Sequence, residues 1–126
     1  MSKRTQIRWI NRDLVESPYY IGLCTNRKAF KSEMRRLKVD NPPEWIPSDK
    51  DGTVHLLERA SGKFIAIACI RKHKNNLELV GLVIHEAVHI WQEIKGALNE
   101  PNPSPEFEAY AIQTIAQRLI QKCKRG

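Results

Sequence analysis

Between Asn75 and Gly96 the chain holds Leu77, Leu79, Val80, Leu82, Val83, Ile84, Val88, Ile90, Trp91 and Ile94, spread around every side of a helix. A surface helix shows one apolar stripe, so a segment apolar almost all round predicts a long helix buried in the middle of a domain. Asn75 or Asn76 caps its start, and it ends near Lys95 with Gly96 as the stop signal. Three polar residues break the run: His85, Glu86 and His89. Burying two imidazoles and a carboxylate without partners costs about 2 kcal/mol or more per group, so something must compensate.

The spacing suggests what that is. Histidines four apart project from one helix face as neighbours. Two imidazoles so placed can reach one zinc ion, and Glu86 is positioned to act on the metal's water. The plainer alternative is two histidines that pair on a core helix with no metal. A catalytic zinc normally takes three protein ligands and keeps a fourth position for water, so a third ligand is expected downstream.

Glu93, Glu100, Glu106 and Glu108 compete for that place. Glu93 continues the row of His85 and His89, and three ligands in a straight row cannot surround one ion. Glu100 lies in a Pro-rich loop that would hold it loosely. Glu106 shares a stripe with Tyr110, Gln113 and Gln117, the wetter side, and in a first turn it complements the helix dipole. Glu108 shares its stripe with Ala111, Ile112, Ile115 and Leu119. A carboxylate on that apolar stripe is costly unless it binds something, so Glu108 is the expected third ligand.

His85-Glu86-Ala87-Val88-His89 followed by Glu108-Ala109 on the next helix resembles the gluzincins, the thermolysin-like zinc peptidases. The resemblance covers about residues 53–120. More loosely, the hairpin-helix-loop-helix portion looks like small metallopeptidases of phages and prophages. The resemblance implies peptide-bond hydrolysis with one zinc per chain, held by His85, His89 and Glu108, and Glu86 as general base. Two departures stand out. Ile112 occupies the place where larger gluzincins often carry an aspartate that braces a histidine. No residue is marked as the stabiliser of the developing oxyanion: Tyr19, Tyr20, His55, His73 and Arg71 are unranked candidates, and Tyr110 is expected to pack.

At 126 residues the chain fits one domain, residues 1–126, with a basic part at 1–38 and a metal-binding core at 53–120. The net charge of +7 resides in that basic part, where ten Lys or Arg face only Asp13, Glu16 and Glu33. Such a segment could attract nucleic acid or an acidic partner. No aromatic residues alternate with the cations, which favours a solvated helix face. The longest apolar run, Phe64 to Ile70, is too short to span a bilayer, and no apolar stretch follows the N-terminal charges. A soluble, cytoplasmic protein is expected. Cys24, Cys69 and Cys123 are widely spaced and odd in number, which fits reduced thiols, with Cys69 in the core.

The remaining pattern predicts an α+β fold: a minimal zincin-like domain in which a small antiparallel sheet or hairpin packs on the buried metal-binding helix and a C-terminal helix. Tyr19 to Cys24 reads as a strand, and Thr25 or Asn26 caps a helix to about Lys38. Residues 40–52 form an irregular loop pinned by Trp45 and Ile46. Residues 53–60 and 63–72 form a hairpin turning at Ser61-Gly62. Residues 63–72, apolar on both faces, are expected to border the cleft. Ser104 and Pro105 start the last helix, which runs to about Lys122.

Two rival functions remain. SprT-like proteases combine the same motif with basic surface, but they usually use a third histidine, and none follows His89. A non-catalytic nucleic-acid- or protein-binding module with a structural zinc would need a fourth protein ligand, such as Glu93 or Cys123.

Overall fold

In a computed structural model, which describes residues 7–9, 19–59, 62, 64–72, 75–98 and 102–124, the chain is organised around Phe64–Ile70. Every residue from Ile65 to Ile70 in this segment is buried. The elements in chain order are β1 (Arg8–Trp9), β2 (Tyr19–Cys24), α1 (Arg27–Arg36), β3 (Gly52–Glu58), β4 (Phe64–Ile70), α2 (Asn76–Ala97) and α3 (Pro105–Lys124). The strands form one sheet in the order β1-β2-β4-β3. The result is a small α+β fold.

The alternation of β4 decides what lies on each face. Ile65, Ile67 and Cys69 join Ala29, Phe30 and Met34 of α1 in one apolar cluster. Ala66, Ala68 and Ile70 face the other way and pack with α2 and α3. A strand apolar on both faces therefore lies between two helical layers. The sheet is mixed, where an antiparallel one was expected. β3 pairs with β4 antiparallel, with Gly52 opposite Ile70. β2 runs parallel to β4, with Tyr19 opposite Phe64 and Cys24 opposite Cys69. The path from β2 through α1 and β3 is long enough for this crossover, and strand periodicity cannot reveal which way neighbours run. The expected Ser61-Gly62 turn lies mostly outside the described residues, although Gly62 adopts a positive φ of 86°.

The helix starts follow their caps. Asn26 accepts from the Ala29 amide at 2.7 Å. Asn75 accepts from the Leu77 amide at 2.8 Å, and Ser104 Oγ from the Phe107 amide at 3.2 Å. Gly96, expected to stop α2, stays inside the helix; the cap is Leu98, whose N–H donates to Ile94 O at 2.9 Å without a left-handed residue. No helix among the described residues is long and apolar enough to cross a membrane.

α2 is not buried all round, and this corrects the expectation from its composition. Val83, Ala87, Ile90, Trp91 and Ile94 form one buried stripe. Leu77 and Ile84 are 80% and 45% exposed, so the opposite side is open. One sheet and one neighbouring helix can cover only part of a cylinder. Ile90→Ala should therefore cost about 2–5 kcal/mol, and Ile84→Ala less than about 0.5 kcal/mol. Urea denaturation of the two variants beside the wild type measures the difference, and equal costs would contradict this one-sided burial.

Candidate active site

The polar break in α2 faces a cleft of about 690 Å³ between this helix and β3. His85, Glu86, His89, Gln92 and Glu93 line it from the helix, and Gly52, Val54 and Leu56 from the strand. The bordering strand is β3, on the edge of the sheet, and not residues 63–72, because β4 lies between β2 and β3. Among the described residues no strand pairs with the outer side of β3.

His85 and His89 are both exposed, so the cost of burial expected for three groups falls on Glu86 alone. The two imidazoles meet edge to face, with Nε2 of one 3.2 Å from Nε2 of the other. Two bare ring nitrogens at that distance repel, so the arrangement suits a shared proton or a cation between them. His89 Nδ1 lies 3.2 Å from Gln92 Oε1. An amide oxygen only accepts, so this contact holds the proton on Nδ1 and leaves Nε2 with its lone pair outward. This brace, a glutamine three residues after the second histidine, was legible as a helical pair but was missed because aspartate was sought on α3.

Glu86 lies on α2 between the histidine face and the buried stripe, and is 3% exposed. Its carboxylate reaches beneath the start of β3. A Cβ added at Gly52 would stand 2.9 Å from Glu86 Oε2 and 3.3 Å from the Cys69 carbonyl oxygen, so the strand begins with the one residue that leaves this room. Burial pushes the Glu86 carboxyl above its ordinary range, and the nearby charges of His85, His89 and Lys50 pull it part of the way back.

Glu108 is not brought to this cluster. Its Oε2 accepts from Trp91 Nε1 at 2.8 Å and from Lys95 Nζ at 3.1 Å. These contacts hold its carboxyl below the usual carboxylate range, the indole first and the ammonium second. They also satisfy the polar group that looked costly on an apolar stripe. Trp91 and Lys95 sit roughly a third of a turn around α2 from the histidine pair, on the flank where α3 packs. Among the described residues no three His, Cys, Asp or Glu side chains are grouped so as to hold a metal ion. Glu93 lines the cleft on the histidine side, whereas Cys123 packs against the core.

The other candidates are placed elsewhere. His55 donates to or accepts from nothing in the cleft: its ring lies against Phe30, and its Nε2 is 2.9 Å from the Trp45 carbonyl oxygen on the α1 side of the sheet. Arg71 Nε donates to Lys50 O at 3.1 Å, and its Nη2 reaches the carbonyls of Ile46 and Pro47, so it clamps the loop before β3. Tyr110, expected to pack, is 60% exposed. His73 and the side chain of Tyr19 lie outside the described residues. Lys50, which the sequence did not mark, lines the cleft beside Glu86. No protein-family model, curated protein or solved structure matches the chain.

The burial of Glu86 has a pH signature. Its folded pKa lies above the unfolded value of about 4.3, so the wild type loses stability as pH rises through the folded pKa. Glu86→Gln removes that loss. In metal-free protein kept in chelator, the variant's melting temperature should exceed the wild type's at pH 8 by more than at pH 4. A gap that does not widen with pH would mean the carboxylate is not penalised where it sits.

Proposed function

We propose that this cleft is the active site of a zinc-dependent peptidase, with His85 and His89 as metal ligands and Glu86 as general base. The observation that carries the proposal is the pair of outward Nε2 atoms 3.2 Å apart, directly beside a buried carboxylate. Zinc–imidazole bonds are about 2.0–2.1 Å long, so one ion can bond both nitrogens at this separation. Gln92 favours the tautomer such a ligand needs.

When bound, zinc would act as a Lewis acid on a carbonyl oxygen and make water a competent nucleophile near neutral pH. Glu86, buried beside the pair, would accept the proton from such a water. A carboxyl raised by burial holds a proton more firmly than an ordinary glutamate, which suits its second task, passing the proton to the leaving amine. The outer edge of β3, which no strand pairs among the described residues, offers main-chain groups to an extended chain, and this favours a peptide over a compact substrate.

Two ligands stand together and the third does not. For the third we carry Glu108, which would have to exchange Trp91 and Lys95 for the metal. Glu93 already lines the cleft, but its place on the histidine row makes it the weaker rival donor.

Elemental analysis of purified variants separates these possibilities. The wild type should retain about one zinc per chain, the count for a single site of this kind. His85→Ala and His89→Ala should each lose it, and Glu86→Gln should keep zinc while losing peptide hydrolysis. Loss in Glu108→Gln with retention in Glu93→Gln assigns the third ligand to Glu108, and the reverse assigns it to Glu93. A wild type that binds no zinc after zinc is supplied would end the metallopeptidase reading.

A further inference from the structure

On the opposite face of the sheet, α1 presents a surface that folding alone does not account for. Of its six solvent-facing positions, five are the exposed Arg27, Lys28, Lys31, Arg35 and Arg36, and the sixth is the half-exposed Ser32. The helix has one acid, Glu33, which is turned to the core side and paired with Arg36. Arg27, Lys31 and Arg35 follow one another at four-residue spacing, so each repels the next. Arg27 and Lys28 also stand in a first turn that contains no acidic residue, where cations oppose the helix dipole. A surface helix normally mixes both signs. Self-repulsion in this form is relieved by a polyanion lying along the helix.

The shape beside the helix narrows the choice of polyanion. A groove of about 500 Å³ runs between α1 and the loop 42–48. Arg27, Lys31 and Arg71 contribute cations to it, and Phe30, Met34 and Trp45 give it an apolar, aromatic lining. The Arg71 guanidinium lies over the Trp45 ring, 5.4 Å from its centroid, as a second flat surface. One carboxylate, Glu44, also lines the groove. A row of cations beside an aromatic groove matches a phosphate backbone with its bases turned aside.

We infer that the α1 face and its groove bind single-stranded nucleic acid, with phosphates along Arg27, Lys31 and Arg35 and a base in the groove beside Trp45. A duplex keeps its bases stacked inside and has nothing to place there. A polyacidic peptide such as polyglutamate has the repeated charge but no flat ring to place in the groove. None of these residues lines the α2–β3 cleft, so the inference stands apart from the peptidase proposal.

The test is fluorescence anisotropy of the full chain with a labelled oligothymidylate of about 16 nucleotides, titrated over a range of salt. The triple variant R27Q/K31Q/R35Q lowers the net charge from +7 to +4. Its matched control, Q113E/Q117E/Q121E, makes the same charge change at exposed positions of α3. Circular dichroism confirms that both are folded. The first triple should weaken binding about tenfold or more and reduce the slope of log K against log salt by about 2, at about 0.7 per phosphate contact. The control should stay near the wild type. No binding at low salt, equal loss in both triples, tighter binding of a duplex of the same length, or equal competition by polyglutamate would each overturn the inference.

Discussion

The close packing of α2 on the small residues of β4 sets the geometry of everything else in this molecule. Ala66 and Ala68 leave the sheet surface low, so Val83, Ala87, Ile90, Trp91 and Ile94 settle onto it along one stripe. Once that stripe is fixed, the remaining positions of the helix have no freedom. His85 and His89 must face outward, and Glu86, between them and the stripe, must pass under the edge of the sheet. Gly52 begins β3 at the point where the carboxylate arrives. The chemistry of the cleft is thus a consequence of helix rotation, which the core determines.

That dependence explains why some features were legible in the sequence and others were not. The caps, expected at Thr25 or Asn26, at Asn75 or Asn76 and at Ser104, depend on local chemistry and were readable to within one residue. So was the two-sided burial of Phe64–Ile70, because a strand apolar on both faces must be covered on both. The exposure of α2 was not readable. Leu77 and Ile84 count as apolar in any periodicity argument, and only the number of available neighbours shows that they go uncovered. Glu108 failed to join the histidines for a related reason. Its stripe on α3 was correctly placed against the core, but periodicity does not say which flank of α2 receives α3. The partners it found, Trp91 and Lys95, belong to the far flank.

Within the cleft, the electrostatics couple three groups. Gln92 holds the Nδ1 proton of His89, so His89 Nε2 faces His85 Nε2 with a lone pair that can accept a proton from His85 or bind a cation. A hydrogen bond on the outer side of the helix thus sets which nitrogen of His89 faces its neighbour. A cation there would draw the buried carboxyl of Glu86 downward, as Lys50 and the protonated forms of His85 and His89 do. Opposed effects of burial and nearby positive charge are how a carboxylate is kept both available as a base and able to hold a proton.

The loop before β3 links the two faces of the sheet. Trp45 and Ile46 anchor it in the cluster under α1, while Lys50 at its far end lines the cleft. Arg71 holds both ends at once, through the carbonyls of Ile46, Pro47 and Lys50. Its guanidinium is also the cation over Trp45 in the groove beside α1. A guanidinium has several donors in a rigid plane, so it can bind carbonyls along its edge and keep a ring against its face. Any ligand that competes for that face acts on a side chain whose edge positions the cleft's loop. The cleft and the groove lie on opposite sides of the sheet, and Arg71, which lines only the groove, holds the loop that reaches both.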